Sequence, residues 1–314
     1  MSQATQLGRR AVRIGTSTIG DGRPVAVIGG EDARWVSLRG HHGRSTAEEI
    51  IGAARAGWAG PLLVEPFSAA DLGAVAGHAD GVVVGAAWMQ DFRLVQAVAR
   101  IGLPVVVQRG QAATLEEWLA IADYCAAEGN DQVVLCESGS RTHLGGTTLD
   151  LGLMREAAER SGRPVLADLG DDPALAAAAV AAGADGLLLA PDASPETIEA
   201  AREAATVVGA VVRREAPDTV LAARAAIDRV DAALATLLER RVGLAGTVQR
   251  LKPVGGFKGR DMDRERRLVA AMARRAPSLG ETRLAPVMNA VIEAGLRVAE
   301  ERIHAADLES SARG

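Results

Sequence analysis

Aromatic residues are scarce. Four Trp, one Tyr and three Phe make up 3% of 314 residues. A core built from this chain has to rest on Ala, Val and Leu packed in helices and strands. Cysteine is scarcer still, at Cys125 and Cys136. Two thiols without zinc-ligand spacing leave no disulfide framework and no zinc site, and they read as small buried hydrophobes. Positive charge is not in excess: 35 basic and 40 acidic residues give a formal net charge of -5. That balance offers nothing to nucleic acid or to an anionic membrane. No run of eighteen apolar residues occurs, and no apolar stretch follows the N-terminal MSQATQLGRR. The expectation is a soluble, cytoplasmic protein without a membrane span.

What the chain does have is length and alternation. Its 314 residues suffice for two domains or one large one. Residues 1–24 read as an N-terminal extension and hairpin, with Ala11–Ile14, a turn at Gly20-Asp21-Gly22, and a return over residues 24–28. Short apolar runs then alternate with alanine-rich helical patterns. The strand candidates are residues 25–28, 35–38, 62–64, 81–84, 104–107, 132–135, 164–167 and 186–189. The helices between and after them are residues 46–55, 69–77, 91–101, 115–128, 148–161, 173–182 and 195–208. Near-continuous apolar strands suit a parallel sheet buried on both faces. Repeated strand-helix units predict a (β/α)8 barrel over residues 25–210, with function at the strand C-terminal ends. One feature conflicts with this count. Only residues 29–34 separate the first two candidates, whereas parallel neighbours need a crossover of about a dozen residues. Either residues 35–38 are not a barrel strand or the barrel closes irregularly there.

The last third is helical. After the charged junction of Arg213, Arg214 and Glu215, Pro217 and the capping residue Asp218 open a long amphipathic helix. Val220, Leu221, Ile227, Val230, Leu234, Leu237, Leu238, Leu244 and Val248 carry a helical period for about eight turns. Lys252-Pro253 and Gly255-Gly256 stop it. A second helix starts near Asp261, and a third runs over residues 284–306 with Pro286 in its first turn. Residues 217–306 form this helical domain, and residues 307–314 read as a flexible tail. So long an apolar stripe with so few aromatics predicts burial against a partner chain. Arg224, Arg241, Lys252 and Arg264 lie near the stripe, with Asp261 and Glu265 close by in sequence. Guanidinium forks and a lysine point charge suit a small dianion.

The segment from Leu221 to Glu301 resembles the all-helical class of chorismate mutase. Arg224, with Ile227 and Asp231 behind it, then Arg241 of the ERR run, Lys252, and Asp261, Arg264 and Glu265 of D-x-D-R-E-R carry the resemblance. It implies a homodimer in which Arg224 reaches the partner's pocket. Arg224 and Arg241 would hold two carboxylates, with Arg264 orienting Asp261 or the carboxylate end. Lys252 would face the breaking ether oxygen, and Asp261 and Glu265 the ring hydroxyl. No cofactor is implied. The family's late glutamine falls on Ala299, with Glu300 and Glu301 adjacent; Glu300 in that role would have to carry a proton.

Residues 11–208 resemble 3-deoxy-7-phosphoheptulonate synthase of the short microbial type. WMQDFRLVQAV, VVVQRGQAATLEEWLAIADYCAAEGNDQVVLCESGSRT and AAGADGLLLAPDASPE carry this likeness. The family condenses phosphoenolpyruvate with erythrose 4-phosphate on a divalent metal. Its metal-ligand positions fall here on Asp32, Asp171, Ala190 and Ala201, and its basic phosphate positions on Ala87, Gln108 and Ser138. The resemblance therefore implies a barrel without a metal and without the condensation, with Arg109 and Arg141 as a residual anion site. The whole reads as a chorismate mutase carrying a degenerate barrel in a structural or regulatory role. The alternatives are a mutase for 4-amino-4-deoxychorismate or a lyase on isochorismate, a barrel with new chemistry, and a non-catalytic partner of a shikimate-pathway enzyme.

Overall fold

The computed structural model describes residues 9–41, 43–143, 145–213, 217–252 and 256–312. Part of the charged junction (residues 214–216), His42, and the helix stop at Pro253 and Gly255 lie outside these. The chain divides into two compact units, Met1–Val230 and Asp231–Gly314.

The first unit opens with strands β1 (Ala11–Ile14) and β2 (Ser17–Gly20), antiparallel neighbours with Ile14 opposite Ser17. The expected pairing of β1 with residues 24–28 does not form; the chain turns at Gly15-Thr16. Gly15 sits at φ 57°. Glycine takes that left-handed conformation at the first position of a two-residue turn without steric cost. The Gly20-Asp21-Gly22 turn leads onward instead, into β3 (Ala26–Ile28).

After β3 come β4 (Arg34–Ser37), α1 (Ala47–Arg55), β5 (Leu62–Glu65), α2 (Leu72–His78), β6 (Gly81–Val84) and α3 (Phe92–Arg100). Then follow β7 (Val105–Gln108), α4 (Leu115–Ala127), β8 (Val133–Glu137), β9 (Ser140–Arg141), β10 (Thr147–Thr148) and α5 (Leu151–Ser161). The unit continues through β11 (Val165–Gly170), α6 (Ala176–Ala181), β12 (Gly186–Leu189) and α7 (Pro195–Val212). Eight strands form one sheet in the order β3-β12-β11-β8-β7-β6-β5-β4. Its two ends, β3 and β4, meet through a single parallel bridge between Ile28 and Ala33. No helix intervenes there, so a full parallel ladder cannot form. Trp35 spans the weak seam, its indole N–H donating to the Leu189 carbonyl at 2.6 Å.

The strand residues divide by parity. Ala26, Ile28, Leu63, Val83, Val106, Val134, Cys136, Leu166 and Leu188 pack inside the barrel with Val12, Ile14 and Ile19 of the hairpin. The alternate residues, among them Val64, Val82, Val105, Val133 and Leu187, pack outward against the helices with Trp118 and Ile121. Two-residue periodicity is what allows one strand to serve both layers. Both cysteines are free and buried. Burial pushes the Cys125 thiol up to about 11 and the Cys136 thiol well above its ordinary value, so both act as apolar filling.

The second unit contains most of α8 (Val220–Leu251), then α9 (Met262–Ala273) and α10 (Gly280–Ala312). Asp261 caps α9, its carboxylate accepting the Arg264 N–H at 2.9 Å. Helix α10 starts before the expected residue 284 and continues past Ala306, so residues 307–312 are helical backbone and not a separate tail. Pro286 consequently lies inside the helix and not in its opening turn. Leu284, Met288, Leu296 and Ala299 of α10 and Ala233 of α8 are buried. The α8 stripe is largely uncovered: Ile227, Leu234, Leu237 and Leu244 are 58%, 50%, 47% and 64% exposed. Among the described residues no helix is long and apolar enough to cross a membrane.

Candidate active site

Helical periodicity puts Arg241, Leu244, Ala245, Val248, Gln249 and Lys252 on one face of α8, at steps of three and four residues. That face lines a cavity of about 280 Å³, close to the lower end of the roughly 300–1,000 Å³ range of small-ligand sites. The N-terminal turn of α9 and its approach contribute Gly256, Gly259, Arg260, Asp261, Arg264 and Glu265; α10 contributes Ile292 and Leu296. Five residues singled out in the sequence thus converge: Arg241, Lys252, Asp261, Arg264 and Glu265. Arg224 is exposed and is not among the lining residues. It precedes Arg241 by seventeen positions on α8, about 25 Å of helix rise. Glu300 does not line the cavity either; its Oε1 lies where a side chain on Gly256 would begin.

The polar groups here are mostly committed on one edge. Lys252 Nζ donates to the Gly259 carbonyl at 2.8 Å, which leaves two of its three N–H bonds. Arg241 donates to the Val291 carbonyl at 3.3 Å. Burial, and secondly the charge of Arg264, lower the Arg241 pKa from its ordinary value. Among the described residues, neither Arg241 nor Arg264 is ion-paired. Glu265 is held by Arg260 through two bonds, Nε to Oε1 at 3.0 Å and Nη2 to Oε2 at 2.5 Å. Those bonds keep the Glu265 carboxyl below its ordinary pKa. The Arg264 N–H does the same for Asp261. Arg260 also reaches Asn289 at 2.7 Å and Glu293 at 3.4 Å. The role of Arg260 is not legible in the sequence, because its five-residue separation from Glu265 spans a helix cap and fits no helical pairing rule. Gln249 carries one signal in the sequence, its position on the Arg241–Lys252 helix face.

The barrel's C-terminal mouth is filled by the chain itself. Ser37 Oγ and Arg39 Nε donate to Glu65 at 2.5 and 2.9 Å, and Arg39 stacks 3.9 Å over Trp88. Gln108 donates to Asp168 at 2.8 Å, and Ser138 to the Arg109 carbonyl at 2.5 Å. Arg109 is 1% exposed. Its Nε and Nη2 bind Glu137 at 2.5 and 2.8 Å, Nη2 also binds Ser140 at 2.7 Å, and Nη1 binds the Gly110 and Ala113 carbonyls. All five guanidinium donors are used. The expected anion site at Arg109 and Arg141 is therefore corrected: Arg109 has nothing left to donate. Arg141 is exposed, with its Nε on Gln111.

These residues do not fit a divalent metal. The Asp32 carboxylate accepts the Val27 N–H at 2.7 Å, Asp171 is exposed, and Ala190 and Ala201 carry no ligating atom. Among the described residues no group of three or more His, Cys, Asp or Glu side chains converges on one point.

Asp168 stands out in the mouth. Burial pushes its carboxyl up to about 6, against the Gly170 N–H bond and with help from the nearby Glu137 and Glu65 charges. The folded barrel then binds a proton that the unfolded chain has already released. Barrel stability is expected to fall as pH rises from about 4 to about 6, by up to roughly 3 kcal/mol, and to level off above. All four tryptophans, Trp35, Trp58, Trp88 and Trp118, lie in the first unit, so urea titration by Trp fluorescence follows the barrel. The same slope in an Asp168→Asn variant would remove this assignment.

An eight-stranded parallel barrel and a helical unit around a charged pocket define a two-part protein, α/β followed by all-α. Residues 37–205 match the model of the DAHP synthetase I family, and the chain belongs to that family. Residues 223–300 match chorismate mutase type II. A phospho-2-dehydro-3-deoxyheptonate aldolase of Thermotoga maritima is 34% identical over 144 residues, 43% of this chain and 43% of its own length. A 2-dehydro-3-deoxyphosphooctonate aldolase of Acidithiobacillus ferrooxidans is 31% identical over 150 residues, 41% of this chain and 52% of its own. The chain thus spans about half or less of the curated relatives it matches. A truncated 3-deoxy-D-arabino-heptulosonate 7-phosphate synthase from Thermotoga maritima superposes with a TM-score of 0.52 at 24% identity, over 62% of this chain and 86% of that one. A phospho-2-dehydro-3-deoxyheptonate aldolase structure from the same organism gives 0.55 at 23%, over 64% and 74%.

Proposed function

We propose that the helical unit rearranges chorismate to prephenate and that the barrel does not condense phosphorylated substrates. The observation that carries this is the pocket charge. Four cations, Arg241, Lys252, Arg260 and Arg264, face two carboxylates, Asp261 and Glu265. Arg260 is already spent on Glu265, so an excess of positive charge awaits a dianion.

The reaction is unimolecular: one C–O bond breaks as one C–C bond forms, with no nucleophile. The protein has to hold the chair-like diaxial conformer and stabilise charge on the departing ether oxygen. Arg241 clamps one carboxylate, and Arg224 of a second copy clamps the other. Lys252 directs a remaining N–H to the ether oxygen. Asp261 and Glu265 receive the ring hydroxyl, Glu265 fixed in place by Arg260. The uncovered α8 stripe supports the second copy, since its apolar side chains gain about 25 cal/mol per Å² on burial.

The full-length protein is expected to turn over chorismate without added metal and to scatter light as twice the chain mass. Chorismate, its 4-amino analogue and isochorismate should be assayed side by side. Phosphoenolpyruvate, erythrose 4-phosphate and manganese should release no phosphate above the blank. Exclusive turnover of one analogue would replace the substrate assignment; a monomer with full activity would remove the role given to Arg224.

A further inference from the structure

Among the described residues that line the pocket, every polar side chain is charged except one. Gln249 projects from α8 one turn before Lys252, and its Oε1 accepts the Gly256 backbone N–H at 2.8 Å. A backbone N–H can only be met by an acceptor, so this bond fixes which end of the amide is oxygen. The NH₂ group is thereby presented as a donor, and among the described residues it has no protein partner. Gly256 itself stands at φ 65°, a conformation that side chains rarely adopt, and it too lines the cavity. The turn that receives Gln249 is therefore built around a glycine.

The opposite helix supplies nothing comparable. Among the described residues of α10, Ile292 and Leu296 line the pocket; Gly295 and Ala299 on the same face are buried without polar side-chain atoms. A ligand whose charged ends are taken by guanidinium groups still has uncharged oxygens to satisfy. Left unpaired in a closed pocket, each such oxygen costs about 1–3 kcal/mol.

We propose that Gln249 is a substrate-contacting residue whose amide nitrogen donates to an uncharged oxygen, ether or hydroxyl, of the bound dicarboxylate. This rests on the mutase reading. The donor is neutral, so it does not ask the ligand to carry charge at that atom before the bond breaks. It also does not titrate, which keeps this contact constant across neutral pH.

The test uses full-length wild type, Gln249→Ala, Gln249→Glu and Gln249→Met, with chorismate from about pH 5 to 8. The glutamate variant keeps the acceptor for Gly256 and the side-chain shape, but it is a donor only when protonated. Turnover in the alanine and methionine variants is expected to fall on the order of a hundredfold. The glutamate variant should be similarly impaired at pH 8 and recover toward acidic pH, a limb absent from wild type. A purely structural Gln249 would give a glutamate variant whose profile follows wild type, and that result would overturn the proposal while leaving the mutase reading in place. Unchanged turnover in the methionine variant would do the same. A wild type inactive on chorismate would overturn both.

Discussion

Replacing Lys252 with alanine is expected to lower chorismate turnover a hundredfold to a thousandfold, roughly 3–4 kcal/mol in activation. The effect should fall mainly on kcat, because charge accumulates on the ether oxygen only as the bond breaks. Lys252 follows the last residue of α8, and its one structural bond ties that helix end to Gly259. Losing an exposed bond of this kind changes stability by about 0.5–1.5 kcal/mol at most. Circular dichroism and light scattering should therefore match wild type while activity is nearly lost. Steady-state kinetics that leave the alanine variant's kcat intact would end the mutase assignment and leave a binding role for the pocket.

The second large effect belongs to the barrel. Glu137 is fully buried and holds Arg109 through both oxygens. Its Oε1 also accepts the Gly139 and Asp150 N–H groups at 2.9 and 3.1 Å. One carboxylate thus fixes the end of β8, the turn after it and the residue that caps α5. Glu137→Ala would strand a guanidinium inside the barrel without its counter-charge. A loss of about 3–5 kcal/mol in barrel stability is expected. An Arg109→Met, Glu137→Leu double variant should be less damaged than Glu137→Ala: it removes the stranded charge, although it forfeits the Gly139 and Asp150 N–H bonds to Glu137 and the Arg109 bonds to Ser140, Gly110 and Ala113. Urea midpoints by Trp fluorescence measure both. A single variant as stable as wild type, or a double variant worse than the single, would contradict this account of the pair.

Much of the architecture is legible in the residues. Short apolar runs at regular intervals specify the strands, and β-branched Val repeated in β6, β7 and β8 favours a pleated, doubly buried position. Thr46 and Thr114, each with a glutamate three residues later, mark helix starts, and both capping boxes form. The spacing of Arg241, Gln249 and Lys252 already puts them on one helical face. The hairpin register was less legible, because Gly15-Thr16 and Gly20-Asp21-Gly22 are both competent turns. Only contact with the barrel floor selects the first: it buries Val12, Ile14 and Ile19 together.

The residues whose roles changed between sequence and structure are nearly all charged or polar. By itself the sequence determined the period of the barrel strands and the long helices, most of their boundaries to within a few residues, and the charges available to each face. These follow from backbone geometry and act over a turn or two. Tertiary structure alone decided which charge meets which. Arg109 is as good a candidate anion ligand as Arg241 until Glu137, twenty-eight residues away, closes on it. Arg260 looks like surface charge until α9 and α10 bring Glu265, Asn289 and Glu293 around it. A side chain's ionic partner is set by where helices and strands come to rest. Arg241 and Arg264 have no ion-pair partner among the described residues, because Glu265, whose charge acts on both, is held by Arg260.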